Sequence, residues 1–378
     1  MALWWFLGVL SLAGLYAWLL ESLRKGWESL PVWTLSHPFF PTTTVSIVVP
    51  VRNEAAGLGR CLSSLLAQDY PADRMEIIVV DDFSEDDTAE VAEGFANRGV
   101  QLIRMRDRLS DARQSSKKMA LTTGIQAAKG QLLATFDGDS WAPPTWLPTM
   151  VGYYEKFRSV LLAGPVLFSE NGGLLEQFQA LDLCGMTGIS AAGIHRNWFH
   201  LGNGTNLLYE REAFLETGGF SGTESLASGD DVFAMQKMAR AFPGRLAYVK
   251  SADALVQTTP APDWKAFWDQ RLRWGGKASA YLEWQLTAVG ALTLAVSWAI
   301  LLSFLFIPRV GAWAFLFGFG LKSMVDYRLL SRTAHFFNRS SLLLVFWQAQ
   351  LLHVLYIVVV GSAAVFLKRY NWKGRRHK

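Results

Sequence analysis

Apolar and polar positions alternate in blocks along this chain, and three of the blocks are uncharged for the length of a bilayer. Ala2 to Leu20 is an uncharged run, about the length that crosses a membrane as a helix. It has no basic stretch before it and no clean small-residue cleavage site, so it predicts an anchor rather than a signal peptide. Leu286 to Ile307 and Ser340 to Leu367 are also free of Asp, Glu, Lys and Arg. Between these two, Val310 to Leu321 is apolar but short, with Lys322 and Asp326 close behind. It reads either as a third C-terminal span or as a helix lying in the interface. The predicted organisation is a transmembrane helix over 1–21, a folded domain over 43–285, a membrane region over 286–367 and a basic tail over 368–378.

From Val45 to about Tyr281 the periodicity changes to that of alternating strands and helices. Val45 to Val49 is a β-branched run ending at Pro50, the pattern of a strand buried on both faces. Ala55 to Gln68 carries Leu58, Leu62, Leu65 and Leu66 at helical spacing. Ile77 to Val80, Leu102 to Ile103 and Leu132 to Phe136 read as further strands. Ala89 to Ala96 and Lys117 to Ala128 read as the intervening helices. This order predicts an α/β fold with a mostly parallel sheet and right-handed crossovers. Ligands of such sheets bind beyond the carboxyl ends of the strands.

Composition supports a membrane protein. Of 378 residues, 51% are apolar and only 18% charged, against about a quarter charged in ordinary soluble domains. The 16 Trp fit a chain that meets the membrane boundary. Arg24 and Lys25 follow the first span, so the positive-inside rule places the following domain on the cytoplasmic face. The tail carries Lys368, Arg369, Lys373, Arg375, Arg376 and Lys378 without an acid. Following a hydrophobic span, it suits anionic lipid headgroups better than nucleic acid. The two cysteines, Cys61 and Cys184, form no disulfide framework or zinc pattern.

The strand ends hold the candidate chemistry. Pro50, Arg52 and Glu54 follow the first strand, Asp81 and Asp82 the second, and Asp137 and Asp139 the fourth. Helix capping accounts for one acid per turn, but not for this many gathered at one edge. Concentrated carboxylates repel unless a cation or ligand neutralises them, and a divalent cation with a phosphate does both.

These residues resemble the family 2 glycosyltransferases of GT-A fold. The likeness rests on Val45 to Glu54, Val79-Val80-Asp81-Asp82, Phe136-Asp137-Gly138-Asp139, and Ser116-Lys117-Lys118-Met119-Ala120-Leu121, where the family has Gly for Ser116. It continues in Gly204 to Phe220, Gly229-Asp230-Asp231, and Gln270-Arg271-Leu272-Arg273-Trp274. It covers roughly residues 43–285, and the flanking spans are similar to the membrane-bound branch, which includes ceramide and carotenoid glycosyltransferases and cellulose and hyaluronan synthases.

The resemblance implies a metal-dependent, inverting transfer of sugar from a nucleotide-sugar to a membrane-associated, lipid acceptor. Pro50, Arg52, Glu54, Asp81, Asp82, Lys117 and Asp137 would line the donor nucleotide site, with Asp137 and Asp139 holding Mg²⁺ or Mn²⁺. Asp231 is the expected general base, with Asp230 beside it, and first-turn acids on a helix are their bland alternative. Gln270, Arg273 and Trp274 would line the donor and acceptor site. Trp264, Phe267, Trp268 and Leu272 recur at helical spacing there, so an interfacial amphipathic helix is expected as well. Leu174 to Leu183 reads as a second such helix or as a core helix. The rival functions are a processive polysaccharide synthase and a non-catalytic membrane scaffold. A nucleotidylyltransferase is disfavoured because no Gly-rich loop follows the first strand.

Overall fold

A computed structural model describes residues 2–112, 115–169, 172–221, 229–276, 281–310, 312–366, 370–372 and 375–377. Of the basic tail, only the backbone of 370–372 and 375–377 is among them. In chain order the elements are α1 (Ala2–Ser29), β1 (Val45–Val51), α2 (Ala55–Leu66), β2 (Met75–Asp81), α3 (Thr88–Glu93), β3 (Val100–Arg104), α4 (Lys117–Ala127), β4 (Leu132–Thr135), β5 (Ser140–Trp141) and α5 (Trp146–Phe157). Then come β6 (Leu161–Ala163), β7 (Val166–Phe168), α6 (Leu174–His195), β8 (Leu207–Glu210), α7 (Arg211–Glu216), α8 (Asp230–Ala241), β9 (Leu246–Tyr248), β10 (Val256–Thr258) and α9 (Trp264–Gly275). The C-terminal helices are α10 (Trp284–Leu305), α11 (Ile307–Val310), α12 (Ala312–Phe336) and α13 (Phe346–Phe366).

The chain divides into two compact units. An α/β unit takes in Pro31–Leu167 and His200–Thr259, and a helical unit takes in Met1–Leu30, Phe168–Phe199 and Pro260–Trp372.

The α/β unit is built on a seven-stranded sheet in the order β3-β2-β1-β4-β8-β6-β9. β1 runs parallel to β2 and β4, and β2 parallel to β3. β8 is antiparallel to both neighbours, β4 and β6. Every residue of β1 is buried, which is why it reads as an unbroken β-branched run rather than an alternating one. Ile47, Val48, Val49, Ile78 and Leu133 are fully enclosed, each worth about 1.5–3 kcal/mol of transfer free energy. α4 lies close on this core: a Cβ at Gly124 would stand 2.4 Å from Val48 Cγ1, so only glycine fits there.

The first strand runs two residues further than the sequence predicts, through Pro50 to Val51. The ladder explains why proline is accepted. Val48 O accepts from Phe136 N on the β4 side, and Val51 O accepts from Asp82 N on the β2 side. Pro50 therefore faces the β4 side, where the pairing has already ended at Val48 and Thr135, and its missing N–H costs no ladder bond.

In the helical unit, α1 packs along α12, α6 and α10, and α13 packs on α10 and α9. Among the described residues, three helices are long and apolar enough to cross a membrane: Ala2–Ser29, Trp284–Leu305 and Ser340–Ala363. Two apolar helices thus follow the α/β segments. Of the stretch from Val310 to Leu321, Val310 ends α11 and Ala312 begins the longer helix α12, which carries Lys322, Asp326, Arg328 and Arg332 along its length. α6 extends well past Leu183, to His195, and most of its residues from Phe178 onward are buried. It is a core helix of its unit.

Candidate functional site

The turns after β1 and β2 are built into each other. Asn53 and Phe83 both adopt left-handed backbone, with φ of 52° and 56°, a strained choice for non-glycine residues that neighbours must hold. The Asn53 amide donates to Ser84 Oγ (3.1 Å), and the Glu85 amide donates back to Asn53 Oδ1 (2.9 Å). Arg52 is buried and donates to the Asp82 carbonyl at 2.9 Å. The Glu54 amide donates to Thr88 Oγ1 at 2.8 Å. Pro50 sits inside β1. Of the candidates from this region, Arg52 and the Glu54 backbone brace the loops that frame Asp81 and Asp82.

Asp81 closes β2 and is wholly enclosed. Its Oδ1 accepts from the Ser84 amide at 3.2 Å, while its Oδ2 is buried without a hydrogen-bond partner among the described residues. A buried carboxylate oxygen lacking a donor is costly. The arrangement suits a ligand that brings an N–H or O–H to this strand end.

Lys117 is the first residue of α4, whose N-cap Ser116 accepts from the Met119 amide at 3.2 Å. The cap fixes where the helix begins and so where Lys117 projects. Its Nζ stands 2.5 Å from Asp137 Oδ1, and both side chains are about one-third exposed. Asp137 is held in turn by its amide, which donates to Thr205 Oγ1 at 3.0 Å. Two residues on, Asp139 Oδ1 accepts from Ser140 Oγ and Thr258 Oγ1, each at 3.3 Å. Gly138 between them is tightly packed: a Cβ there would meet Val51 Cγ1 at 2.8 Å.

Asp231 lies in the first turn of α8, behind Gly229 at φ 97°. Its Oδ2 accepts from the Gly204 amide at 3.1 Å and its Oδ1 from the Val232 amide at 2.8 Å. Thr135 Oγ1, on the last residue of β4, donates to the Gly204 carbonyl at 2.6 Å. Asp231 is thereby connected to the end of β4 through one short loop. The Asp230 side chain lies outside the described part of the structure.

The donor set around β4 is oxygen-only. Two half-buried carboxylates, two residues apart and flanked by hydroxyls, are the ligands that hard divalent cations such as Mg²⁺ and Mn²⁺ take. Among the described residues no group of three Asp, Glu, His or Cys side chains could hold a metal. A cation there needs phosphate or water oxygens to complete its shell.

Gln270, Arg273 and Trp274 are half-buried positions on α9, in the helical unit. Phe267 and Arg271 face inward, one turn apart, whereas Leu272 is only half-buried and Trp264 is 44% exposed. Arg271 is 1% exposed, its Nη2 is 3.0 Å from Asp182 Oδ2, and its guanidinium lies 4.3 Å from the centre of the Trp274 ring. Reading the sequence for its motif letters passed over Arg271. Its spacing of four from Phe267 was the available signal.

Sequence reasoning also missed Asn206. It is fully buried, accepts from Trp146 Nε1 at 2.9 Å, and donates to the carbonyls of Pro165 and Ala254 at 2.8 and 2.9 Å. It ties β8, α5 and the approach to β10 together under the site.

Comparison with known proteins bears on the family likeness and the fold. Residues 46–218 match the model of the family described as glycosyl transferase family 2. Glycosyltransferase AglE of Haloferax volcanii is 35% identical over 130 residues, covering 34% of this chain and 41% of that protein. Beta-monoglucosyldiacylglycerol synthase of Synechocystis sp. is 29% identical over 153 residues, covering 40% of this chain and 31% of that protein. The chain thus spans less than half the length of either relative. In three dimensions it is similar to a mannosyltransferase from Pyrobaculum calidifontis, solved in complex with GDP-Man and Mn²⁺. The TM-score is 0.60 at 20% identity, over 96% of this chain and 97% of that one. This is a likeness of fold. Residues 46–218 are thus similar to glycosyl transferase family 2 domains, and the fold is GT-A-like.

Proposed function

We propose that this chain is a membrane-anchored, inverting glycosyltransferase that moves a sugar from a nucleotide-sugar, of which a UDP-sugar is the first to test, to a lipid acceptor on the cytoplasmic face. One observation carries the reading: Asp81, the Lys117–Asp137 pair, Asp139 and Asp231 all stand at or beside the carboxyl ends of β2 and β4 in one unit. The enclosed Asp81 suits a base or ribose donor group. Lys117 offers a cation to a diphosphate. Asp137 and Asp139 are the residues that would hold Mg²⁺ or Mn²⁺, whose charge offsets what builds on the departing nucleoside diphosphate.

Asp231 then takes the proton of the acceptor hydroxyl as its oxygen attacks the anomeric carbon. Both of its oxygens are already oriented by backbone amides, so the carboxylate is fixed before the acceptor arrives. Gln270, Arg273 and Trp274 belong to the donor and acceptor site in this reading.

The lipid acceptor is supported by the three apolar helices and by the diacylglycerol acceptor in the name of one relative. Membership of the branch with ceramide and carotenoid glycosyltransferases is part of the same proposal. A processive synthase is the second reading, and three candidate spans among the described residues are few for a polymer channel.

A screen of purified full-length protein with labelled UDP-, GDP- and dTDP-sugars, Mg²⁺ or Mn²⁺ and total membrane lipid tests it. Label in one discrete lipid band is the expected result. A high-mass ladder would replace it with the processive reading. Absence of both nucleotide-sugar binding and transfer would leave the scaffold.

A further inference from the structure

Inside the helical unit, α1, α6, α12 and α13 enclose a second cluster of polar side chains, built around a cavity of about 110 Å³. Asp326 is fully engaged. Tyr16 donates to its Oδ1 at 2.7 Å, while Lys322 and Gln350 reach its Oδ2 at 2.5 and 2.8 Å. On the other wall, Asp182 pairs with Arg271 at 3.0 Å. His353 stands between the two groups. Its Nδ1 is 3.2 Å from Lys322 Nζ, and its Nε2 is 4.0 Å from Asp182 Oδ1.

The donors and acceptors determine what is missing. An ammonium only donates, so His353 Nδ1 faces Lys322 as an acceptor. The one ring proton is then on Nε2, which stands 4.0 Å from the Asp182 carboxylate oxygen, too far for a direct hydrogen bond. A single oxygen lodged against both would accept from Nε2–H and donate to Asp182 Oδ1. That is the pattern of a hydroxyl. An ionised phosphate only accepts, and it would set its charge against the Asp182 and Asp326 carboxylates that line the cavity, whereas Arg271, whose N–H groups make no hydrogen bond among the described residues, is outside the lining. The rest of the lining is apolar, including Leu181, Met186, Ile189 and Leu329. A cavity of this size takes a head group of a few heavy atoms.

We propose that this cavity binds the hydroxyl head of a membrane lipid, with the hydroxyl bridging His353 Nε2 and Asp182 Oδ1. The site selects an uncharged alcohol over a phosphate-headed lipid with the same chains. This inference concerns lipid binding and does not rest on the transfer reading.

The test is equilibrium binding of labelled dioleoylglycerol and of dioleoylphosphatidate to full-length protein in detergent. Their chains are identical and only the head differs. Saturable binding of dioleoylglycerol, at least tenfold tighter than phosphatidate, is expected. Met186→Trp fills the cavity, and H353F removes the Nε2 donor. Each should weaken dioleoylglycerol at least tenfold while nucleotide-sugar binding stays unchanged. Ile189→Trp replaces either variant that is not monodisperse. Equal binding of the two lipids, unchanged binding by the variants, or no lipid bound by the wild-type protein would each overturn the proposal, the last leaving a cavity that holds only water.

Discussion

Lys117 Nζ stands 2.5 Å from Asp137 Oδ1, so the first residue of α4 is tied to the first acid after β4. Both side chains are about one-third exposed, and an ion pair in that setting contributes about 0–1 kcal/mol to stability. A charge-assisted bond to a bound phosphate is worth more, about 1.5–3 kcal/mol. Lys117→Met should therefore leave the melting temperature nearly unchanged and weaken nucleotide-sugar binding by roughly 10- to 100-fold. Calorimetric binding beside a thermal melt separates the two. A large fall in melting temperature with normal binding would make the pair structural.

Asn206 makes the opposite prediction. Asn206→Ala strands Trp146 Nε1 and the carbonyls of Pro165 and Ala254 in the core. Each buried orphan costs about 1–3 kcal/mol, so the loss should be several kcal/mol, on the order of 3–6. Denaturant or thermal unfolding reads it directly. A loss below about 1 kcal/mol would mean that water replaces the amide.

Much of this site was legible in the sequence because acids at strand ends follow from strand boundaries, and those boundaries follow from buried β-branched runs. Asp81, Asp137 and Asp139 sit where the runs predicted. The roles within the loops were less legible. Arg52 reads as a ligand-binding cation from its place after β1, and its guanidinium also donates to the Asp82 carbonyl. Nothing in the local sequence shows that the two turns interlock. Asn206 was missed for a similar reason: its partners lie 41 to 60 positions away, and no short-range period encodes them, whereas for Arg271 only the ion-pair partner Asp182, 89 positions away, was out of reach.

Glu155 gives a pH dependence. Its Oε1 accepts from the amides and hydroxyls of Thr42 and Thr43 at 2.8–3.0 Å. Burial raises its pKa, but the Thr43 and Thr42 hydrogen bonds outweigh burial, and the net result lies below the ordinary carboxylate value. A carboxyl with a depressed folded pKa contributes stability above its unfolded pKa, near 4.3, and loses it as pH falls through the folded pKa. Stability of the wild-type protein should fall across that acid window, and Glu155→Gln should flatten this part of the profile. Parallel profiles for the two proteins, measured by thermal melts from pH 7 to 3, would contradict it.

The Arg271–Asp182 pair is nearly buried, with side chains 1% and 8% exposed. Burial pushes the Asp182 carboxyl up, and the Arg271 and Lys322 charges only partly offset this. Removing one partner leaves a buried charge uncompensated, at about 3–5 kcal/mol. Arg271→Ala should thus destabilise strongly, and the double variant with Asp182→Asn should recover part of the loss. Additive losses in a double-mutant cycle would show that the two residues do not act as a pair.

The most direct test of the central claim measures donor binding and sugar transfer side by side for wild-type protein, Asp139→Ala and Asp231→Asn. If Asp139 belongs to the diphosphate and cation site, its variant loses metal-dependent donor binding and transfer together. If Asp231 is the base, its variant keeps donor binding and melting temperature and loses transfer by about 10²–10⁴-fold. Normal turnover in both variants would contradict the account, because the acids gathered at the ends of β2 and β4 would then have no part in the chemistry.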